Sequence, residues 1–337
     1  MSERPLLQVQ HLKKYYSMKT GVFSRAKGWV KAVDDISFDL NHGETIGIVG
    51  ESGCGKSTMG KAILRLIEPT SGKILLDGED FTALSGAELH QARRKMKLIF
   101  QDPFASLNPR MTVKDIIGEN IDIDHTYKTK AERDDRIREV MEMSGLNLDY
   151  MDRYPHEFSG GQRQRIGIAR AIVLPPKLVI CDEPVSALDV SIQAKIINLL
   201  KSMQKTMGLS YIFISHDLAV VKHISDRVGV MYLGHMMELA DKKDLYSNPQ
   251  NPYTQALLSA IPKMPGETVG GDKIELTGDL PSPANPPSGC CFHTRCPWAL
   301  PICSQERPEL KQTAPNHWCA CHLCAGCAGK EEEKAAG

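Results

Sequence analysis

The stretch "GESGCGKST", Gly50 to Thr58, decides the fold of this chain. It fits the pattern G-x-x-x-x-G-K-[ST], whose glycines let backbone N–H groups turn inward and cradle phosphates. We expect Lys56 to reach the β- and γ-phosphates of a nucleoside triphosphate and the Ser57 hydroxyl to bind magnesium. A chance glycine-rich turn is less favoured, because a strand candidate precedes the loop and a helix candidate follows. The loop residues expected around the phosphates are Gly50, Glu51, Ser52, Gly53, Cys54, Gly55, Lys56, Ser57 and Thr58, with Cys54 a small filler.

Strand and helix candidates alternate on both sides of this loop. The sequence predicts a strand, a turn and a strand over 31–49, further strands over 177–184 and 210–217, and a hairpin turning at Gly234. The charged segment from Thr112 to Tyr154 predicts helices. After the loop, a helix ending at Pro69 is predicted to bury Met59, Ala62, Ile63, Leu66 and Ile67. This alternation is typical of an α/β protein with a mostly parallel, helix-covered sheet.

Two adjacent carboxylates, Asp182 and Glu183, end the apolar strand candidate "LVICDEP". Alternation along a strand sends the two side chains to different places. Asp182 can therefore hold magnesium, while Glu183 can activate the attacking water as general base. A carboxylate pair that only caps the next helix is common, but after a phosphate loop it is the less favoured interpretation.

Charge and cysteine usage exclude several functional classes. Lysine plus arginine equal aspartate plus glutamate at 41 each, so we expect no nucleic-acid partner. The N-terminal sequence lacks an apolar signal region, and no apolar run is long enough to span a membrane. We therefore expect a cytoplasmic location, where the ten cysteines would not form a disulfide framework. Eight of them lie between Cys290 and Cys327, which marks the C-terminal part as a separate unit.

Further motifs follow the phosphate loop along the chain. The stretch "FSGGQRQR", Phe158 to Arg165, is similar to the LSGGQ signature of ATP-binding cassette ATPases, with Phe158 in place of the usual leucine. Gln101 resembles the Q-loop glutamine, His216 in "ISHD" the switch histidine, and Asp189 in "SALD" the D-loop aspartate. Any one of these motifs is weak evidence. Together, in this order, they identify the chain as a member of that family.

The resemblance implies a RecA-like P-loop ATPase with an antiparallel β subdomain, a helical subdomain over about 102–165 and a small C-terminal extension. ATP and Mg²⁺ are the implied ligands. The implied catalytic residues are Glu183, His216, Gln101 and Lys56, and the implied magnesium ligands are Ser57, Gln101 and Asp182.

The signature residues imply a dimer. They would face the γ-phosphate held by the phosphate loop of an opposite subunit, and they are Ser159, Gly160, Gly161 and Gln162. Adenine would stack on Tyr16, with Tyr15 as the adjacent alternative.

The C-terminal sequence resembles a narrower group. The stretches "NPYTQALLSAIP" (251–262) and "GDLPSPANPPSGC" (278–290) resemble the C-terminal extension of ATPases from dipeptide and oligopeptide importers. We expect a nucleotide-binding domain over 1–245, this extension over 246–328 and a disordered end over 329–337. Family members of this kind also move nickel chelates, glutathione or other small solutes. A soluble redox-sensing ATPase is the alternative from a different functional class.

The same resemblance implies partners and a location. The chain would pair with a related, non-identical ATPase, dock on two transmembrane permease subunits, and serve an extracellular substrate-binding protein indirectly. It would lie at the cytoplasmic face of the cell membrane, held there by the permease subunits.

Four cysteines match, by this resemblance, the ligands of a [4Fe–4S] cluster found in family members: Cys290, Cys296, Cys303 and Cys321. Their spacings differ from the close C-x-x-C pairs of zinc ribbons, although zinc and free thiols remain alternatives. Cys291 and Cys319 are neighbouring candidates, and Cys324 with Cys327 forms a C-x-x-C pair that could hold zinc. The histidines that could add ligands are His293, His317 and His322.

Overall fold

The computed structural model describes residues 4–18, 28–261, 274–276 and 278–324. The strands in these ranges are β1 (Leu7–Met18), β2 (Gly28–Leu40), β3 (Thr45–Val49), β4 (Ser71–Leu76), β5 (Glu79–Asp80), β6 (Met96–Ile99), β7 (Leu178–Asp182), β8 (Ser210–Ile214), β9 (Arg227–Tyr232), β10 (His235–Asp241), β11 (Lys311–Ala314) and β12 (His317–Cys319). The α-helices are α1 (Lys56–Ile63), α2 (Gly86–Arg94), α3 (Pro103–Ser106), α4 (Val113–Asp124), α5 (Lys130–Met143), α6 (Gly160–Ile172), α7 (Val190–Met207), α8 (Leu218–Ile224), α9 (Lys242–Ser247) and α10 (Pro252–Ser259). Short 3-10 helices cover Leu148–Tyr150, Pro155–Glu157 and Pro301–Ser304.

The chain divides into two compact units. The first unit comprises Met1–Pro5, Leu40–Thr45 and Ala83–Ser215, and the second comprises Leu6–Asp39, Ile46–Thr82 and His216–Gly337.

In the first unit, β6, β7 and β8 form parallel ladders. Ile99 pairs with Cys181, and Asp182 pairs with Ile214, so the carboxyl ends of the three strands meet at one edge. The predicted helices between 112 and 154 are confirmed as α4 and α5. Thr112 caps α4 by accepting from the Asp115 N–H. The apolar side of α5 is narrow but fully buried, at Ile137, Val140 and Met141.

In the second unit, β2, β1, β4 and β5 are neighbours in a four-stranded sheet, with β1 antiparallel to β4 and β4 antiparallel to β5. A further set of strands runs in the order β11, β12, β10, β9 and β3. The pair β3 and β9 is parallel, whereas β9 and β10 form an antiparallel hairpin. The predicted turn at Gly234 is confirmed, because Gly234 joins these two strands with a φ of 81°.

The predicted strands over 177–184 and 210–217 are confirmed as β7 and β8, and the two strands over 31–49 as β2 and β3. The helix after the phosphate loop is shorter than predicted. It ends at Ile63, and Leu66 is 51% exposed rather than part of the buried face. Arg65 adopts a φ of 51°, and its N–H and that of Leu66 bond back to Ala62 O and Lys61 O. This Schellman arrangement ends the helix before Pro69 is reached.

Among the ranges described above, no helix combines the length and apolar character needed to cross a bilayer.

Candidate functional site

The phosphate loop follows β3 and leads directly into α1, as the motif requires. Gly50 has a φ of 151° and Gly55 a φ of 105°, which is backbone that favours glycine. A Cβ at Gly55 would lie 2.0 Å from Ala32 O, and one at Gly50 would lie 2.1 Å from Met231 O. Gly55 occupies the N-cap position of α1 and brings no side chain to the first-turn N–H groups. The loop is thus shaped by close backbone packing.

Lys56 and Cys54 lie inside this loop. The Lys56 ammonium is almost fully buried and donates to Gly50 O at 2.7 Å and to Glu51 O at 3.0 Å. These bonds hold the backbone of the loop around the Lys56 side chain. Burial raises the pKa of the Cys54 thiol, although Lys56 works in the opposite direction. Cys54 is buried within the loop, and its role as a small filler stays a prediction.

The two tyrosines considered for adenine differ in their surroundings. The Tyr15 hydroxyl donates to the Asp34 carboxylate, so the Tyr15 side chain is held by a hydrogen bond within the second unit. Tyr16 on β1 is 41% exposed, with the Lys14 ammonium 5.0 Å from its ring centroid. Tyr16 therefore presents an aromatic surface that Tyr15 does not.

The carboxyl edge of the first unit carries three predicted residues. Asp182 ends β7 and is buried, whereas Glu183 is only partly buried and adopts a φ of 45°. Gln101, two residues beyond β6, donates from Nε2 to Glu183 Oε2 at 3.0 Å. The parallel register explains this pair, because residues following β6 and β7 emerge side by side. The strand end thus separates the two carboxylates and joins Glu183 to Gln101.

The signature residues begin α6. Ser159 and Gln162 form a capping box, in which Ser159 Oγ accepts from the Gln162 N–H and Gln162 Oε1 accepts from the Ser159 N–H. A Cβ at Gly161 would lie 2.5 Å from Ile192 Cγ2 of α7, so glycine permits the close approach of the two helices. Asp189 caps α7, and hydrogen bonds from Ser191 Oγ and the Ile192 N–H lower its pKa. Gly160 is the first residue of α6.

His216, the predicted switch histidine, is exposed in the short connection between β8 and α8. The Asp217 side chain next to it caps α8 by accepting from the N–H groups of Ala219 and Val220. This cap fixes the backbone immediately after the histidine.

Two family models match the chain. One is described as ABC transporter and matches residues 33–186; the other is described as Oligopeptide/dipeptide transporter, C-terminal region, and matches residues 237–303. The oligopeptide transport ATP-binding protein AppF of Bacillus subtilis is 56% identical over 96% of this chain and 98% of its own length. The chain belongs to the ATP-binding cassette transporter family. OppF, the oligopeptide transport ATP-binding protein of Salmonella typhimurium, is 53% identical over 91% of this chain and 92% of that protein.

Solved ATP-binding cassettes share the fold. A dimeric cassette in a post-hydrolysis state bound to ADP and Pi has a TM-score of 0.63 at 28% identity, covering 70% of this chain and 98% of that one. A cassette from Clostridium perfringens that is part of a transporter complex has the same TM-score, 0.63, covering 73% and 92% of the two chains. The predicted α/β P-loop class and the predicted family are confirmed. The chain is an ATP-binding cassette ATPase, since ATP hydrolysis is general in this family.

Four cysteines in the C-terminal part of the chain were predicted to be cluster ligands. One small cavity is lined by all four predicted ligands, Cys290, Cys296, Cys303 and Cys321. Within the described ranges, however, no group of three or more His, Cys, Asp or Glu side chains has the geometry to hold a metal ion.

The neighbouring cysteines lie apart from this cavity lining. Cys291 Sγ lies 3.7 Å from Met237 Sδ, and burial raises its pKa. Cys319 and Cys324 are joined by a disulfide, contrary to the expectation of reduced thiols, because the turn at 321–324 brings their Cα atoms within 6.8 Å. Cys327 and the expected disordered end over 329–337 lie outside the described residues.

The three candidate histidine ligands have separate surroundings. His293 Nδ1 lies 2.8 Å from Cys290 O and His322 Nε2 lies 3.0 Å from Glu306 O, and both residues line the cysteine cavity. His317 does not. Its Nε2 lies 2.7 Å from Glu238 Oε1, and both side chains are almost fully buried. His317 is thus paired with a carboxylate rather than placed at the thiols.

Sequence reasoning missed two residues that contact the phosphate loop, Arg295 and Tyr253. Arg295 Nη1 lies 2.9 Å from Glu51 Oε2, and the Glu51 N–H donates to the Tyr253 hydroxyl at 3.0 Å. Both partners lie more than 200 positions away from Glu51 in the sequence. The sequence does show an arginine among the cysteines, but nothing in the sequence indicates that its partner is Glu51.

Proposed function

We propose that this chain is the ATP-hydrolysing subunit that energises import of dipeptides or oligopeptides across the cytoplasmic membrane. The observation that carries the proposal is the 56% identity to an oligopeptide transport ATP-binding protein over almost the full length of both chains. The match of residues 237–303 to the peptide-transporter C-terminal region supports it independently of the cassette motifs. ATP would drive closure of a cassette dimer docked on membrane permease subunits, and hydrolysis would reopen it.

The residue roles follow the motifs. Lys56 would hold the β- and γ-phosphates, and Ser57, Gln101 and Asp182 would hold Mg²⁺. Glu183 would act as general base, which its hydrogen bond with Gln101 supports by orienting the carboxylate. Three further roles are adenine stacking by Tyr16, stabilisation of the γ-phosphate by His216, and binding of ATP in trans by the signature residues. Asp189 would serve as the D-loop aspartate.

The proposed assembly has several further members. A related but non-identical ATPase subunit would complete the cassette dimer, two permease subunits would hold it at the cytoplasmic face of the membrane, and an extracellular binding protein would deliver substrate. The nucleotide-binding domain would cover 1–245, with its helical part over about 102–165, and the extension 246–328. The family's general dimerisation supports the pairing.

Peptide uptake tests this function directly. Deleting the gene should abolish uptake of labelled oligopeptides, and the wild-type chain should restore it, whereas Lys56→Ala should not. The chain should also copurify with two polytopic membrane proteins. Unchanged peptide uptake in the deletion strain, with loss of uptake of nickel chelates or glutathione, would reassign the substrate. ATPase activity governed by thiol oxidation, without membrane partners, would instead favour the redox-sensing alternative.

We propose that the extension holds a [4Fe–4S] cluster through Cys290, Cys296, Cys303 and Cys321. The support is the donor set: these four thiols line one cavity, whereas Cys291 and Cys319 do not. Burial raises the pKa values of Cys290 and Cys321 to about 11, so a bound cation is needed to make them thiolates at neutral pH. Zn²⁺ is the alternative occupant.

Anaerobic purification tests this proposal. The wild-type protein should be brown and contain about four iron atoms per chain. Cys290→Ser should lose the colour, and Cys291→Ser, one position away, should keep it. A colourless protein with stoichiometric zinc would overturn the iron assignment, and a metal-free protein would overturn both.

A further inference from the structure

Arg295, in the cysteine-rich part of the extension, contacts the phosphate loop. Its Nη1 lies 2.9 and 3.1 Å from the two carboxylate oxygens of Glu51, the second residue of the loop. The Arg295 side chain is 9% exposed and the Glu51 side chain 25%, so the pair is shielded from water.

A second contact from the extension reaches the same residue through its backbone. The Glu51 N–H donates to the Tyr253 hydroxyl at 3.0 Å. Tyr253 is completely buried, and burial raises its pKa, so the hydroxyl stays neutral. Asn251 caps α10 by accepting from the Tyr253 N–H, which fixes the start of the helix that carries this tyrosine. The extension therefore holds Glu51 by both its side chain and its backbone.

Three aromatic rings lock these contacts together. The ring centroids of Tyr232, Tyr253 and Phe292 lie 4.7 to 5.3 Å from one another. The Tyr232 hydroxyl also lies 3.4 Å from Arg295 Nη1. Because such rings pack without gaps, a shift of the chain near Phe292 is transmitted to the two groups that hold Glu51.

The position of Glu51 bears on phosphate binding in two ways. Lys56, which would reach the phosphates, donates to the carbonyls of Gly50 and Glu51, so the orientation of this peptide segment sets where the ammonium rests. The Glu51 carboxylate is also a negative charge within the loop, and an unneutralised charge there would repel the phosphates of ATP. Arg295 cancels that charge.

While its Nη1 contacts Glu51, Arg295 leaves another of its own donors without a hydrogen bond. Its Nε is buried and has no hydrogen-bond partner among the described residues. A buried donor left unpaired is unfavourable, so the packing of the extension alone does not explain the placement of this guanidinium. The contact with the phosphate loop does.

We propose that Arg295 and Tyr253 are positioning residues of the ATP site, through which the extension sets the affinity of this chain for ATP. The proposal rests on the ATPase activity of the family and does not depend on which substrate is imported. It gives the extension a role in the nucleotide cycle in addition to its own packing.

Substitution of Arg295 tests the proposal. Arg295→Gln should raise the KM for ATP about tenfold and leave kcat within about twofold, since the loop is misplaced but the hydrolytic groups are intact. Tyr253→Phe keeps the ring and removes only the hydroxyl, so it should raise KM about threefold. The matched control is Arg307→Gln, which removes another extension arginine whose ion pair is with Asp34. It should keep the wild-type KM.

A double-mutant cycle separates positioning from general damage. Glu51→Gln removes the charge that Arg295 neutralises, so adding Arg295→Gln in that background should change KM by less than about twofold. Thermal midpoints of all variants report folding, and if Arg295→Gln does not fold, Tyr253→Phe carries the test. A wild-type KM for both variants, an equal rise in Arg307→Gln, or full additivity in the cycle would overturn the proposal.

Discussion

Glu183 occupies a backbone conformation that most side chains avoid. Its φ of 45° is left-handed, and it is stabilised by a bond from its N–H to Ile214 O and by Ser186 Oγ donating to its carbonyl. Non-glycine residues in this region cost about 1–3 kcal/mol and cluster at functional sites. The turn directs the carboxylate toward Gln101, away from the buried Asp182 that precedes it.

Glu183→Gln tests the general base. The amide oxygen can still accept from Gln101, so the geometry survives while the ability to take a proton is lost. We expect ATP binding to persist, turnover to fall about 10²- to 10⁴-fold, and a closed dimer to accumulate with ATP. Hydrolysis rates and size-exclusion chromatography with ATP measure these effects. Glu139→Gln, at an exposed position of α5, is the control, and near wild-type hydrolysis by Glu183→Gln would exclude the role.

His235 is held neutral in the second unit. Burial and the neighbouring Arg307 lower its pKa to about 4, although Asp34 works in the opposite direction. Its Nδ1 lies 2.7 Å from Asp34 O, to which it donates, and Lys31 adds a further positive charge nearby. The folded protein therefore resists protonation at a site where the unfolded chain does not.

The stability of the protein should fall in mild acid because of this residue. The unfolded histidine protonates near its ordinary pKa of about 6.5 and the folded one only near 4, so stability is full above 6.5 and is lost as pH falls between these values. Between pH 7.5 and pH 5 the loss from this group is about 2 kcal/mol. Urea unfolding of wild type and His235→Gln measures it. An identical pH dependence in the two proteins would contradict the assignment.

At the scale of elements, the junction of α6 and α7 shows that the signature glycines serve packing as well as any ligand. Gly161 lies against Ile192 of α7, whereas Gly167, in the same helix, has no atom within 4 Å of where its Cβ would be. The two glycines thus differ in the space around them, although glycine has a low helix propensity at both positions.

Alanine substitutions distinguish the two positions. Gly167→Ala should raise the free energy of unfolding by up to about 1 kcal/mol, because helix propensity improves without a clash. Gly161→Ala should lower it by about 1–3 kcal/mol, because the new methyl group overlaps Ile192. Chemical denaturation of both variants checks the difference. Equal shifts of the same sign would show that the helices do not pack as described.

Sequence patterns predicted elements where the local signal was complete. The apolar runs that became β7 and β8 and the turn at Gly234 needed no knowledge of distant contacts. The predicted end of α1 was wrong because the apolar spacing continues to Ile67. The helix stops earlier, where the backbone of Arg65 adopts a left-handed conformation. Arg65 is held by Glu68 and by Phe81 O, and the second of these partners belongs to another part of the chain. Local periodicity carries no trace of that contact.

At the scale of the whole molecule, a buried contact between a histidine and a carboxylate ties the extension to the sheet of the second unit. Glu238 on β10 receives hydrogen bonds from the N–H groups of Gln250 and Asn251 and lies 2.7 Å from His317 Nε2 on β12. Asn251 adds bonds from its side chain to Met237 O and Ala320 O. The buried Glu238 carboxylate thus links β10 to the start of α10 and to β12.

His317→Ala should destabilise the protein by about 1.5–3 kcal/mol, because it removes one of the three groups that hydrogen-bond to this buried carboxylate. His90→Ala is the matched control. His90 also lies near a carboxylate, Asp124 at 3.0 Å, but its side chain is 62% exposed. Loss of an exposed pair should cost less than about 1 kcal/mol. Thermal unfolding of both variants compares them, and a small effect in His317→Ala would show that the pair is not needed to hold the extension.

Motif order was sufficient to predict the ATP-binding cassette family, because the motifs occur together and in one order along the chain. It could not predict the pairs that form between motifs. Gln101 and Glu183 meet only because β6 and β7 are parallel neighbours, and Glu51 meets Arg295 only through tertiary packing. The sequence likewise did not decide whether Cys290 or Cys291, and Cys319 or Cys321, would be the ligand. Residues this close in sequence give no indication of which thiol faces a cavity.

The pairing of β12 with β10 has a consequence for solubility. Without the extension, β10 would present an open edge whose inner residues, from Met236 to Ala240, are nearly all apolar. Such edges template sheet-to-sheet association between molecules. β12 covers this edge, and the new outermost strand, β11, is only four residues long, is mostly exposed and begins with Lys311. The extension thereby replaces a long apolar edge strand with a short, mostly exposed one.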